Sequence, residues 1–134
     1  MVVATLEVIA AERANTHFDK AFGMVDALLK AYGESDLATR LWEDIPSSTP
    51  VETVSDLYGI LVWSTPDNGH ALTQATDSWL TECACERKCH VALNLDTYPF
   101  ATYREMRDRL AGVATAWPRL EQHCQMLLDE RPKD

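Results

Sequence analysis

Long uncharged stretches are missing from this 134-residue sequence. The longest one, residues 57–66, has ten residues, whereas a helix that crosses a bilayer needs about 20 apolar residues. The first eleven residues include the acidic Glu7 where a secretory signal carries basic residues, so no signal peptide is expected. The sequence therefore predicts a cytoplasmic protein without membrane attachment, in which thiols stay reduced.

Catalytic sequence motifs are also missing. The sequence contains no glycine-rich phosphate loop, no G-x-S-x-G nucleophile elbow and no H-E-x-x-H metal motif. An enzyme is therefore disfavoured. The composition, with 46% hydrophobic and 25% charged residues, is typical of a globular protein, and the length predicts a single domain over residues 1–134. No feature of the sequence specifies an oligomeric state.

Basic residues are scarce, above all in the middle of the chain. Twelve lysines and arginines stand against 21 aspartates and glutamates, a net charge of −9. Residues 34–96 alone hold eleven acidic and three basic residues, a net charge of −8. An acidic surface repels the phosphate backbone, which argues against nucleic acid as a direct partner. The same surface favours a basic protein as the partner.

Helical periodicity dominates the apolar pattern. One stripe with spacings of four and three residues consists of Phe18, Phe22, Val25, Leu29 and Tyr32. Leu6, Ile9 and Ala14 extend this helix toward the N-terminus, with a strand over residues 2–9 as the alternative. Further stripes predict a mostly α fold, a compact bundle of five to six helices.

Two segments, residues 57–63 and 90–95, are candidates for a short strand pair. An α+β fold is therefore the alternative to the helical bundle. The first is a short apolar run, which periodicity cannot assign to helix or strand. Thr49, Pro50 and Glu52 form a capping-box pattern before it, which favours a helix. In the second segment Val91, Leu93 and Leu95 alternate with smaller or polar residues, as in a strand.

The segment TECACERKCH, residues 81–90, concentrates Cys83, Cys85 and Cys89, and Cys124 is the remaining cysteine. On a continuous helix Cys85 and Cys89 share a face, and Cys83 points away. A tetrahedral zinc site that uses all three thiols therefore requires the helix to break near residue 84. Glu82 and Glu86 would repel each other at i, i+4 on that helix, and a bound cation would relieve the repulsion.

Core packing is the favoured interpretation of these cysteines, because free cysteine usually behaves as a small buried hydrophobe. No cofactor is expected on this interpretation. The alternative is zinc bound by Cys83, Cys85, Cys89 and Cys124, although the C-x-C-x3-C spacing matches no standard zinc knuckle or ribbon. Redox sensing ranks third.

The tryptophans and acidic residues supply the candidate partner-binding residues. Most of the tryptophans, at positions 42, 63, 79 and 117, are expected in the core, and one exposed among the central acids would be a binding anchor. Trp42, beside Glu43 and Asp44, is the predicted anchor. Glu43, Asp44, Asp56 and Asp67 are predicted to present their charge outward, because they lie at or near helix ends and turns.

These features predict a small acidic protein that works by binding another protein. An inhibitor or neutraliser of a basic, nucleic-acid-handling partner, of the immunity-protein or anti-defence type, has this physical character, because it would dock on a basic cleft with electrostatic steering. The alternative function is a metal- or thiol-dependent regulator or small enzyme centred on the four cysteines.

Overall fold

Eight α-helices and one short 3-10 helix are present in the computed structural model, which describes residues 1–15 and 17–133. The α-helices are α1 (Val2–Ala14), α2 (Asp19–Tyr32), α3 (Leu37–Asp44), α4 (Val51–Ser64), α5 (His70–Glu82), α6 (Glu86–Leu93), α7 (Tyr103–Ala116) and α8 (Glu121–Glu130). The 3-10 helix, Pro118–Leu120, directly precedes α8. The prediction of a mostly α fold is confirmed, whereas the predicted number of five to six helices is wrong.

The chain divides into two compact units, Met1–Leu72 and Thr73–Asp134. In the first unit α1, α2 and α4 pack against one another, and the buried Tyr58 hydroxyl of α4 donates to the Ala38 carbonyl of α3 at 2.7 Å. In the second unit α7 packs against the 3-10 helix and α8. The single domain expected over residues 1–134 stays a prediction.

One of the additional helices arises because α1 and α2 are separate, where the sequence predicted one extended helix. The break is stabilised by Glu12, whose buried carboxylate accepts the backbone N–H of Ala21 at 2.5 Å and that of Lys20 at 3.2 Å. These N–H groups belong to the first turn of α2, which has no partners for them within the helix. Glu12 therefore caps α2 from the preceding helix. The strand alternative for residues 2–9 is wrong, since they belong to α1.

The short strand pair is also wrong, because the described residues contain no strand. Residues 57–63 lie within α4, as the capping pattern favoured, although the N-cap is Pro50 and not Thr49. Residues 90–93 end α6, which is the second additional helix. A half-buried strand would expose Ala92, yet Val91, Ala92 and Leu93 are all buried. The alternation of apolar residues in this segment therefore arises because the end of α6 is buried on several sides.

No helix among the described residues is long and apolar enough to cross a membrane.

Candidate functional site

The solvent face of α4 carries an acidic and aromatic stripe. Its members, Glu52, Asp56, Gly59 and Trp63, follow one another at spacings of four, three and four residues. That spacing places them on one side of the helix. The opposite side is buried and includes Val54, Leu57 and Leu61. We call this set the α4 stripe.

Trp63 is the most exposed of the large hydrophobic side chains described, with 77% of its surface accessible. By contrast, Trp79 is buried, while Trp42 and Trp117 are half-buried. The sequence prediction placed Trp42 as the anchor and overlooked Trp63. A helical projection that begins at Glu52 would have found it, because the same spacing connects Trp63 to two acidic residues. The apolar run around Trp63 concealed this signal.

The acidic charge belongs mostly to the first unit. Met1–Leu72 contains eleven acidic and four basic residues, a net charge of −7. Thr73–Asp134 contains ten acidic and eight basic residues, a net charge of −2. Trp63 therefore projects from the unit that carries most of the negative charge.

Two of the predicted acids lie at the end of α3. Glu43 and Asp44 are both exposed, next to the half-buried Trp42. The Tyr32 hydroxyl donates a hydrogen bond to Asp44, and this bond is the main cause that raises the pKa of Tyr32. Glu43 therefore presents charge to solvent, whereas Asp44 also joins α3 to the end of α2.

The other two predicted acids have structural partners. Asp56 forms an ion pair with Arg13 of α1 at 2.6 Å. Asp67 accepts the backbone N–H groups of Gly69 and Ala71, each at 3.0 Å, at the start of α5. The Ala71 hydrogen bond is the main cause that lowers the pKa of Asp67. Changing either carboxylate would therefore also remove contacts that support the fold.

In the second unit, the helix that carries the cysteine-rich segment breaks at the position that a three-thiol site requires. α5 ends at Glu82, and Cys83 follows in the left-handed conformation with φ of 54°. Cys85 is the extended N-cap residue of α6, and Cys89 lies one turn into that helix. The helical path is therefore interrupted between Glu82 and Glu86, and the three thiols are not distributed around one continuous helix axis.

All four cysteines are free, and Cys89 and Cys124 are buried. Burial raises the pKa of Cys89 to about 12, and the nearby Cys83, Cys85 and Cys124 contribute to that increase. Burial, together with Cys83, likewise raises the pKa of Cys124 to about 11. Cys89 and Cys124 are therefore neutral thiols at physiological pH.

Contacts from the segment before α8 hold this loop. The Trp117 indole N–H donates to the Cys83 carbonyl at 3.1 Å. Arg119 donates two hydrogen bonds to the Glu86 carboxylate, with 3.0 Å between Nε and Oε2. The predicted Glu82–Glu86 repulsion does not arise as proposed, because the break removes the continuous helix and Glu86 has Arg119 as a partner.

The histidines beside two of the cysteines also meet. The rings of His90 on α6 and His123 on α8 pack edge to face, with 5.9 Å between their centroids. Burial, and then His90, lower the pKa of His123. No three His, Cys, Asp or Glu side chains among the described residues form a group that could hold a metal ion as they stand.

Comparison with known proteins gives no relative: no family model matches the chain, and no curated protein or solved structure matches it significantly.

Proposed function

We propose that the first unit binds a basic protein surface. Trp63 is the anchor residue that the partner buries, and the acidic residues attract the partner before contact. The observation that carries this proposal is the 77% exposure of Trp63 on a unit with a net charge of −7. Tryptophan is enriched among the few residues that supply most of the energy of an interface.

The two parts of this surface have different physical roles. A tryptophan buried by a partner contributes mainly to the lifetime of the complex, because its large apolar area leaves water. Exposed carboxylates such as those of Glu43 and Glu52 contribute mainly to the association rate, since they attract a basic partner before contact. Asp56 and Asp67 add to the field while keeping their structural partners.

The kind of partner follows from charge complementarity. Nucleic acids and anionic membranes would be repelled by the same field, although an exposed tryptophan alone could suit a membrane. Proteins that handle nucleic acids carry the basic clefts that such a surface fits. We therefore propose an inhibitor or neutraliser of a basic, nucleic-acid-handling protein, of the immunity-protein or anti-defence type.

Capture from host lysate with matched variants tests the anchor. Trp63→Ala should weaken retention of a basic partner by about 30-fold or more, the equivalent of the ~2 kcal/mol expected for a hot-spot residue. Met126→Ala is the control, because Met126 is an exposed hydrophobic residue of the second unit. Equal retention by Trp63→Ala, or retention that nuclease treatment or anionic vesicles abolish, would contradict the proposal.

Association rates measured on the purified partner test the charges. Glu43→Lys combined with Glu52→Lys is the suitable variant, because both side chains are exposed and neither is the Arg13 partner or the α5 cap. Association should be slowed at low salt, and the difference should shrink toward about 0.5 M salt as screening shortens the range of the field. Rates that respond neither to the charge reversal nor to salt would rule out steering.

A further inference from the structure

One arginine of the first unit contacts the surface that we propose for partner binding. Arg13, in the last turn of α1, donates to the Asp56 carboxylate of α4 with 2.6 Å between Nη1 and Oδ2. Asp56 is the central acid of the α4 stripe, four residues after Glu52 and seven before Trp63. At 1.5 Å per residue, these separations are about 6 Å and about 10 Å along the helix axis. The chain's own arginine is therefore bound at the middle of the α4 stripe.

We infer that Arg13 is an autoinhibitory residue, which occupies on Asp56 the position that an arginine or lysine of the basic partner takes on docking. This inference rests on the proposed function, because it assigns a regulator to the same surface. Arginine is the basic residue best suited to ion pairs at interfaces, since its planar guanidinium can donate two hydrogen bonds to one carboxylate. Arg13 therefore has the chemistry of the group that it excludes.

The exposure of the two side chains permits this exchange. The Arg13 side chain is 47% accessible, and that of Asp56 is 20% accessible, so a partner can reach the ion pair from solvent. Ion pairs that water can solvate contribute little to stability, and replacing one arginine by another on the same carboxylate therefore costs little. Asp56 keeps Arg13 while a partner approaches, and the exchange takes place only on contact.

The ion pair also determines which basic partners gain from docking. Glu52 and Asp56 carry a charge of −2, which Arg13 reduces to −1. A partner with a single basic residue only replaces Arg13 and gains little. A partner with several basic residues gains through the further contacts, because one side chain can pair with Glu52 and another can stack on the Trp63 ring. The contact therefore favours multibasic surfaces.

Calorimetric titration of the full-length protein with hexa-arginine at low salt tests this inference. Arg13→Gln should bind the peptide about two- to fivefold more tightly than the unmodified protein, the range expected for an exposed ion pair. Lys30→Gln is the matched control, because it removes the same charge from an exposed position of α2 in the same unit. It should give a smaller gain, which comes from the long-range field alone. Asp56→Asn in the Arg13→Gln background should remove the extra gain.

Nuclear magnetic resonance of the unmodified protein supplies a second readout that does not depend on the folding of Arg13→Gln. The Nε–H resonance of Arg13 can be assigned by its absence in Arg13→Lys, which keeps the charge. As hexa-arginine saturates the protein, this resonance should shift toward the position of a solvent-exposed arginine, because the peptide displaces Arg13 from Asp56.

Equal gains in Arg13→Gln and Lys30→Gln would overturn the inference, because net charge alone would then explain both. An unshifted Arg13 resonance at saturation would also overturn it, as would a failure of hexa-arginine to bind any of the proteins. Failure of the proposed function is distinguishable from these results. If Trp63→Ala retains the natural partner while Arg13→Gln still binds hexa-arginine more tightly than Lys30→Gln does, the anchor is wrong and the autoinhibitory contact is supported.

Discussion

Met1–Leu72 carries a net charge of −7 and no cysteine, whereas Thr73–Asp134 carries a net charge of −2 and all four cysteines. The acidic residues of the first unit can attract a basic surface from a distance, since the field of many charges extends over a Debye length of about 8 Å at physiological salt. The thiols of the second unit act only on groups in direct contact with them. The residues proposed for partner binding in the first unit are therefore separate from the thiols of the second unit and can be changed without altering them.

The units also differ in how each employs one carboxylate, the buried Glu12 in the first unit and the half-buried Asp77 in the second. Glu12 in the first unit accepts two backbone N–H groups at the start of α2 and has His17 Nδ1 at 3.2 Å. Asp77 in the second unit accepts the single N–H of Phe100 with both oxygens, each at 3.3 Å. Burial, the largest influence, raises the pKa of Asp77, although the Phe100 hydrogen bond opposes that increase. Glu12 is therefore the better satisfied of the two.

The larger effect is expected at Glu12. Glu12→Ala should lower the free energy of unfolding by about 1–3 kcal/mol, because the freed N–H groups of α2 lose a charged acceptor inside the protein. Glu12→Gln keeps one carbonyl oxygen as an acceptor and should lose less. Urea unfolding of both variants checks this expectation. Equal stability of Glu12→Ala and the unmodified protein would show that the first unit does not depend on this cap.

A smaller, pH-dependent effect is expected at Asp77. Because the pKa of Asp77 is raised in the folded state, the ionised carboxylate destabilises the fold at neutral pH. This destabilisation is relieved as the pH falls through the folded pKa toward 3.8 and the carboxyl group becomes protonated. Asp77→Asn keeps a carbonyl acceptor for Phe100 without the charge. The variant should be the more stable protein at pH 7, and its advantage should shrink toward pH 4.

Thermal unfolding of both proteins across that range measures the difference. An advantage that grows as the pH falls would contradict the assigned cause. A pH-independent difference would mean that the folded state does not shift the Asp77 titration.

The sequence predicted the helices wherever apolar spacing was strong, and it failed where a distant contact decided the outcome. The break between α1 and α2 depends on Glu12 reaching Ala21, which no local pattern contains. The break at Cys83 requires a non-glycine residue at positive φ, a conformation that sequence propensity disfavours. The alternation at residues 90–95 indicated a strand only because burial on several sides of a short helix was not foreseeable.

The candidate sites were partly predictable for similar reasons. The charge asymmetry and the cysteine cluster are visible in the sequence, and so was the condition that a helix break must bring the thiols together. Which tryptophan is exposed depends on packing: Trp42 ends half-buried, while Trp63 lies on the solvent side of α4. The i, i+4, i+7 and i+11 relation of Trp63 to Glu52 was the missed signal.

Fluorescence quenching of Trp63 tests most directly whether the first unit presents an aromatic anchor in a negative field. At low salt, cationic Cs⁺ should quench the accessible tryptophan emission more efficiently than anionic I⁻, relative to free tryptophan, and about 0.5 M salt should remove this preference by screening. Trp63→Phe should remove most of the accessible component and leave only the contribution of the half-buried Trp42 and Trp117, whereas Trp79→Phe, which changes a buried ring, should retain it. An accessible component of unchanged size in Trp63→Phe, or one that I⁻ quenches as well as Cs⁺ does at low salt, would contradict the account.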